Sequence, residues 1–195
     1  MPRFLLFALL MLSGCTYSTN PIFTEQDNVF DKAFIGTWKA DDGIPDVGTF
    51  EVTRWATDDN SYRVILRNQT NEKQGTFQLY LSQIDRTKYL TARVEADKST
   101  GSVGAVPAHA IYWTLIIDQQ DGEQLKARYL QQAWIIQQIN SNPQVLKHEW
   151  YAHPDKPDKK NHILLTATTA ELRAFVLSHT DKRDAWMPVR FKKIR

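Results

Sequence analysis

Four short runs between Gly48 and Glu95 alternate apolar and polar residues with a period of two, and no other feature limits the fold as tightly. Gly48–Trp55 puts Phe50 and Val52 on one face, and Ser61–Arg67 puts Tyr62, Val64 and Leu66 together. Thr76–Leu81 and Tyr89–Glu95 repeat the pattern. Turn formers separate the runs: Asp41-Asp42-Gly43, Thr57-Asp58-Asp59-Asn60, Asn68 to Gly75, and Asp85-Arg86-Thr87. Strands this short and evenly spaced predict an antiparallel meander that curls into a barrel or a sandwich.

The second half mixes periods. Ala96 to Pro107 reads as a Gly/Ser-rich loop, and His109–Asp118 is apolar on both faces, as a central strand is. Asp121-Gly122 makes a turn into Glu123–Leu130. From Gln131 to Ile139 the period changes, and Ile135, Ile136 and Ile139 share one side of a helix that Asn142-Pro143 ends. His148 to Lys160 reads as loop. His162–Thr166 is a short strand, and Thr168 with Glu171 has capping-box spacing ahead of a helix carrying Leu172, Phe175 and Val176. Val189–Ile194 alternates as a closing strand. The expected class is therefore α+β and β-rich: an antiparallel barrel or curved sheet with two short helices in the C-terminal half.

The N-terminus carries a different message. A basic start, Met1-Pro2-Arg3, leads into an apolar run from Phe4 to Leu12 and then Ser13-Gly14-Cys15. That run is too short to span a bilayer, which needs about 20 apolar residues, but it suits a secretory signal. Residues 1–14 are expected to be the signal, residues 15–30 a modified cysteine with a polar tether, and residues 31–195 a single globular domain. After cleavage about 181 residues remain (195 minus 14), enough for one real core. Removing Arg3 takes the net charge from +2 to +1 and leaves no electrostatic case for nucleic acid. Cys15 is the only cysteine, so no disulfide is available and burial alone must hold the domain. Six tryptophans, seven tyrosines and nine phenylalanines supply the bulk for it.

Leu12-Ser13-Gly14-Cys15 resembles the bacterial lipobox, which implies cleavage before Cys15, acylation of its sulfur and amino group, and a membrane anchor. Thr16, where an Asp would favour inner-membrane retention, implies by the same resemblance the periplasmic face of the outer membrane. Gly36-Thr37-Trp38 resembles the glycine-x-tryptophan start of the lipocalins and wider calycins. It implies a barrel whose Trp38 plugs one end under an arginine from the last strand, for which Arg190 and Arg195 are the candidates. Val106-Pro-Ala-His109, Trp134-Ile135 and Ile163 to Phe175 resemble an uncharacterised class of small bacterial secreted proteins and lipoproteins, which implies export and no particular chemistry.

Motifs for catalysis are weak. His148-Glu149-Trp150-Tyr151-Ala152-His153 spaces its histidines five apart, where a zinc-peptidase helix needs four, and Pro154 stops a helix. Gly101-Ser102-Val103-Gly104 lacks the spacing of a nucleophile elbow, and no glycine run has the lysine of a phosphate loop. Asp41, Asp42 and Asp46 around Gly43 read as turn formers, and His109 as a strand-end histidine. No catalytic residue, metal site or cofactor is expected. The leading expectation is a lipid-anchored, non-enzymatic lipoprotein holding an apolar small molecule, with Trp38, Trp55 and Trp113 as candidate contacts and Trp134 and Trp150 as further aromatics of such a cavity. The alternatives are an interaction lipoprotein docking on an envelope protein and a hydrolase using His148, His153 and His162.

Overall fold

The alternating runs become strands. The structure, a computed structural model, describes residues 16–41, 48–56, 59–94, 110–152 and 160–195. In chain order the strands are β1 (Tyr17–Ser18), β2 (Asn28–Val29), β3 (Gly36–Ala40), β4 (Thr49–Arg54), β5 (Ser61–Arg67), β6 (Lys73–Ile84), β7 (Thr87–Val94), β8 (Ile111–Gln120) and β9 (Gln124–Leu130). Helix α1 (Gln132–Ser141), strands β10 (His148–Ala152) and β11 (Lys160–Leu165), helix α2 (Thr169–His179) and β12 (Trp186–Lys193) follow.

Eight of these close a ring. Strands β8, β7, β6, β5, β4, β3, β12 and β9 pair in that order, all antiparallel, and β9 returns to β8. Closure removes the exposed edges that an open sheet would present. The expected antiparallel barrel with two short helices is what the chain forms, consistent with a lipocalin-like barrel. Strand β8 divides its partners: Leu115 to Gln120 pair with β9, while Tyr112 pairs with Ser18 of β1. Beyond β1 the sheet continues through β11 and β10.

The register aligns the apolar faces. Val52 lies opposite Val64, Tyr62 opposite Leu79, Leu81 opposite Leu90, Leu90 opposite Leu115, and Ala127 opposite Val189. These residues build the core inside the ring. A second core lies outside it, where Ile84, Tyr89 and Ile116 face the helices. That explains the two-sided apolar pattern of β8: Leu115 points into the barrel and Ile116 points out of it. The helices cover this outer face with Trp134, Ile135 and Ile139 from α1 and Leu172, Phe175 and Val176 from α2. Each large apolar side chain buried here contributes about 1.5–3 kcal/mol.

Helix boundaries follow the signals in the chain. Asn142 is the C-cap of α1. The Thr168 hydroxyl accepts from the Glu171 amide at 3.3 Å, and the Glu171 carboxylate accepts from the Thr168 amide at 2.8 Å, a reciprocal capping box. The Thr168 hydroxyl also donates to the Glu171 carboxylate at 2.7 Å, and this bond, with that from the Thr168 amide, holds the exposed carboxyl below its ordinary range. The β8–β9 turn is closed by Asp121, whose carboxylate accepts the Glu123 and Gln124 amides.

Two expectations are corrected. Residues 16–30 are not a tether from Thr16 onward. Thr16 is 7 % exposed, Tyr17 joins β1 against Leu164 of β11, and Ile22 and Phe23 enter the outer core. The Asn20 side chain donates to the Ala167 carbonyl at 2.9 Å, and Arg173 of α2 donates to Asp27 at 2.6 Å. Strands of two residues are too short to show a period, so this packing left no trace in the alternation. His148 to Lys160 is not all loop either. His148–Ala152 is strand β10, held because Trp150 packs on the outer core while Tyr151 packs on the other face beside Leu164.

Candidate functional site

The barrel has a sealed end, and it is built by the segment just before β3. The 3-10 turn Lys32–Phe34, capped by the Asp31 carboxylate, brings Phe34 under the ring, and β2 pins Val29 against Leu81 of β6. Trp38, 4 % exposed, lies on this floor and donates its indole N–H to the Phe34 carbonyl at 2.8 Å. The cation over its ring is not Arg190 or Arg195. It is Lys193, whose ammonium sits 5.4 Å from a ring centroid of Trp38 and donates to the Ala33 carbonyl at 3.1 Å. The strand period decides this, because Lys193 points inward and Arg190 points out.

Gly36 is required at the entry. Its φ is +140°, and a β-carbon would collide with the Arg195 carbonyl and the Lys193 side chain. The end of the chain closes over it: Thr37 donates to the Arg195 carbonyl and Ile194 to the Thr37 carbonyl, each at 2.8 Å. Tyr62, fully buried, finishes the floor. Its ring stacks on Phe30 at 5.1 Å, and burial pushes its phenol up to about 12.

Away from the floor the lumen is lined by apolar side chains. Phe50, Phe77, Leu79, Trp113, Tyr129 and Phe191 face inward yet remain only partly buried. Phe50 meets Phe191 edge-on at 5.7 Å, and Trp113 tilts against Tyr129 at 6.4 Å. The Trp113 indole N–H is buried and has no hydrogen-bond partner among the described residues. Where β8 leaves β9, Tyr17, Ile111 and Leu164 extend the same wall, with Tyr151 packed beside them.

The sequence candidates separate on this geometry. Trp113 lines the lumen. Trp38 forms its floor with its polar atom already satisfied. Trp55 does neither: it follows β4 at the sealed end and is 44 % exposed, so it lines no cavity. Trp134 and Trp150 belong to the outer core. The side chains that sequence reasoning missed are Phe50, Phe77, Tyr129 and Phe191, all at inward positions of the period-two pattern.

The histidines do not assemble. His148 pairs with Leu165 and His162 with Tyr151, three positions apart along β10, so the two lie on opposite faces of the hairpin. His148 is bonded to the Leu146 carbonyl at 2.7 Å, and the His162 ring lies tilted against Tyr151 with Nδ1 3.1 Å from the Gln132 amide nitrogen. Among the described residues, no group of three or more His, Cys, Asp or Glu is placed to hold a metal ion, and no helix is long and apolar enough to cross a membrane. Cys15, His109, His153 and residues 101–104 lie outside the described residues. Comparison of the chain with protein-family models, with curated proteins and with solved structures finds no match.

Proposed function

We propose that the chain is a lipoprotein, acylated at Cys15 on the periplasmic face of an outer membrane, whose barrel carries an apolar small molecule. One observation carries the binding half of this reading: six apolar and aromatic side chains turn into a closed barrel and remain only partly buried there. Partly exposed apolar wall inside a barrel is the ordinary lining of a ligand site. The anchoring half rests on the signal-like run ending in Leu12-Ser13-Gly14-Cys15.

Full-length protein purified from membranes, extracted with organic solvent and examined by mass spectrometry, tests the binding half. A reproducible apolar species at near-stoichiometric yield is expected, and consistently empty protein would remove the reading. The mass of the mature N-terminal peptide tests the anchoring half. It should begin at Cys15 and carry acyl chains, and a peptide retaining Met1 would refute it.

A further inference from the structure

Strand β10 is the last of the sheet that continues past the ring through β1 and β11, and among the described residues no strand pairs with its outer edge. The hydrogen bond from the Thr166 amide to the Lys147 carbonyl, at 2.9 Å, fixes which way its backbone points. These two residues continue the register that sets His148 opposite Leu165, and they form a bonded pair. Bonded and non-bonded pairs alternate along an antiparallel ladder. Glu149 and Tyr151 therefore turn their backbone groups toward β11, while His148 and Trp150 turn theirs outward.

An edge of this kind is a template for another strand. Proline, lysine or a bulge commonly guards such an edge, and His148-Glu149-Trp150-Tyr151-Ala152 has neither proline nor lysine. The irregularity near its end adds a residue to β11, between Lys160 and His162, so β10 itself stays regular. Trp150 lies on the face of the outer core, with the His148 ring edge-on to it at 6.1 Å. The exposed Glu149 and the half-buried Tyr151 take the other face.

Reversed, the strand complements itself. A second β10 laid antiparallel with Trp150 opposite Trp150 brings the outward amides and carbonyls of both copies into register, at Trp150 and again where His148 meets Ala152. Glu149 then lies opposite Tyr151 of the second copy, so a carboxylate meets a phenol and no like charges are opposed. Other registers fit less well. An axis at His148 would call on the Leu146 carbonyl, already bonded to the His148 ring at 2.7 Å. An axis at Ala152 would set Pro154, which has no N–H, opposite Trp150.

We propose that two copies of the chain join edge to edge through β10, antiparallel about a twofold axis at Trp150. The contact uses neither the lumen nor the anchor, so it stands or falls apart from the function proposed above.

Cysteine cross-linking of the full chain in intact cells tests it. Trp150→Cys sets two thiols across the axis with α-carbons about 5.5 Å apart, within reach of a disulfide. His148→Cys sets them four residues out of register, beyond that reach. The unsubstituted chain, whose single cysteine is Cys15, gives the background. After mild oxidation, a non-reducing gel should show a dimer with Trp150→Cys and only background with His148→Cys. The reverse pattern would overturn the proposal. Because Trp150 also packs on the outer core, sedimentation in detergent gives a second reading with that residue intact. The unsubstituted chain should run as a dimer after correction for bound detergent. Tyr151→Glu sets two carboxylate pairs in opposition and should weaken association on the order of tenfold, and adding Glu149→Lys should restore it. A monomeric unsubstituted chain, or a dimer indifferent to the charge swap, would also overturn it.

Discussion

Tyr62 and Asp31 exchange two hydrogen bonds across the floor of the barrel: the Asp31 amide donates to the phenol oxygen at 2.7 Å, and the phenol donates to the Asp31 carbonyl at 3.0 Å. One side chain from β5 thus satisfies both backbone groups of the residue that caps the plug. The sealed end depends on this pair more than on any local propensity of residues 28–35.

Tyr62→Phe should therefore cost about 1–3 kcal/mol, because it leaves a buried donor and a buried acceptor unmade. Denaturant unfolding measures it, and an unchanged midpoint would show that the floor does not need the phenol. The effect is pH-dependent with a definite sign. Burial raises the folded pKa of Tyr62 to about 12, above the ordinary value near 10, so the contribution is complete below about pH 10 and is lost as pH rises toward 12. The gap between wild type and Tyr62→Phe should narrow across that window.

Gly36→Ala should destabilise by at least about 1–3 kcal/mol. The backbone there occupies a region open essentially to glycine alone, and the new methyl meets the Arg195 carbonyl. A thermal melt within error of wild type would mean that the last residues move aside freely.

Asp27→Asn should loosen the N-terminal segment from α2. Burial alone would raise the Asp27 carboxyl, but the Thr24 amide and hydroxyl and the Arg173 guanidinium together hold it below the ordinary range. A depressed folded pKa gives stability that is present above about pH 4 and lost as pH falls through the lower folded value. The expected cost near neutrality is about 1 kcal/mol, and it should vanish in acid. Hydrogen exchange should quicken at residues 24–29, and unaltered exchange there would contradict the contact's role.

On the proposed reading of the barrel as a carrier, Trp113→Ala should lower the yield of the apolar species in the extraction assay, while Trp55→Ala, at an exposed position, should not. Equal loss from both variants would point to general instability instead of a lumen contact.

Much of the barrel was legible because its strands are long enough to repeat. Ser61–Arg67 shows Tyr62, Val64 and Leu66 on one face, and the structure pairs that whole run. The α2 cap was legible because Thr168 and Glu171 act on one another within one turn. The plug was harder. Val29, Phe30 and Phe34 lie in two- and three-residue elements that have no period, and only the ring above them gives them a place. The cation over Trp38 was misassigned to arginine because the family resemblance supplied the residue type and the strand register supplied Lys193. Among the tryptophans, composition gave no means of telling a lumen residue from an exposed one. Trp55 and Trp113 differ only in where the register carries them.

The burial of Thr16 has a consequence for where such a molecule can work. A fatty anchor on the residue immediately before it would have no leash. The barrel would be moored with its hull against the membrane, unable to swing toward a cargo held at a distance. Whatever such a moored barrel collected would have to come to the waterline.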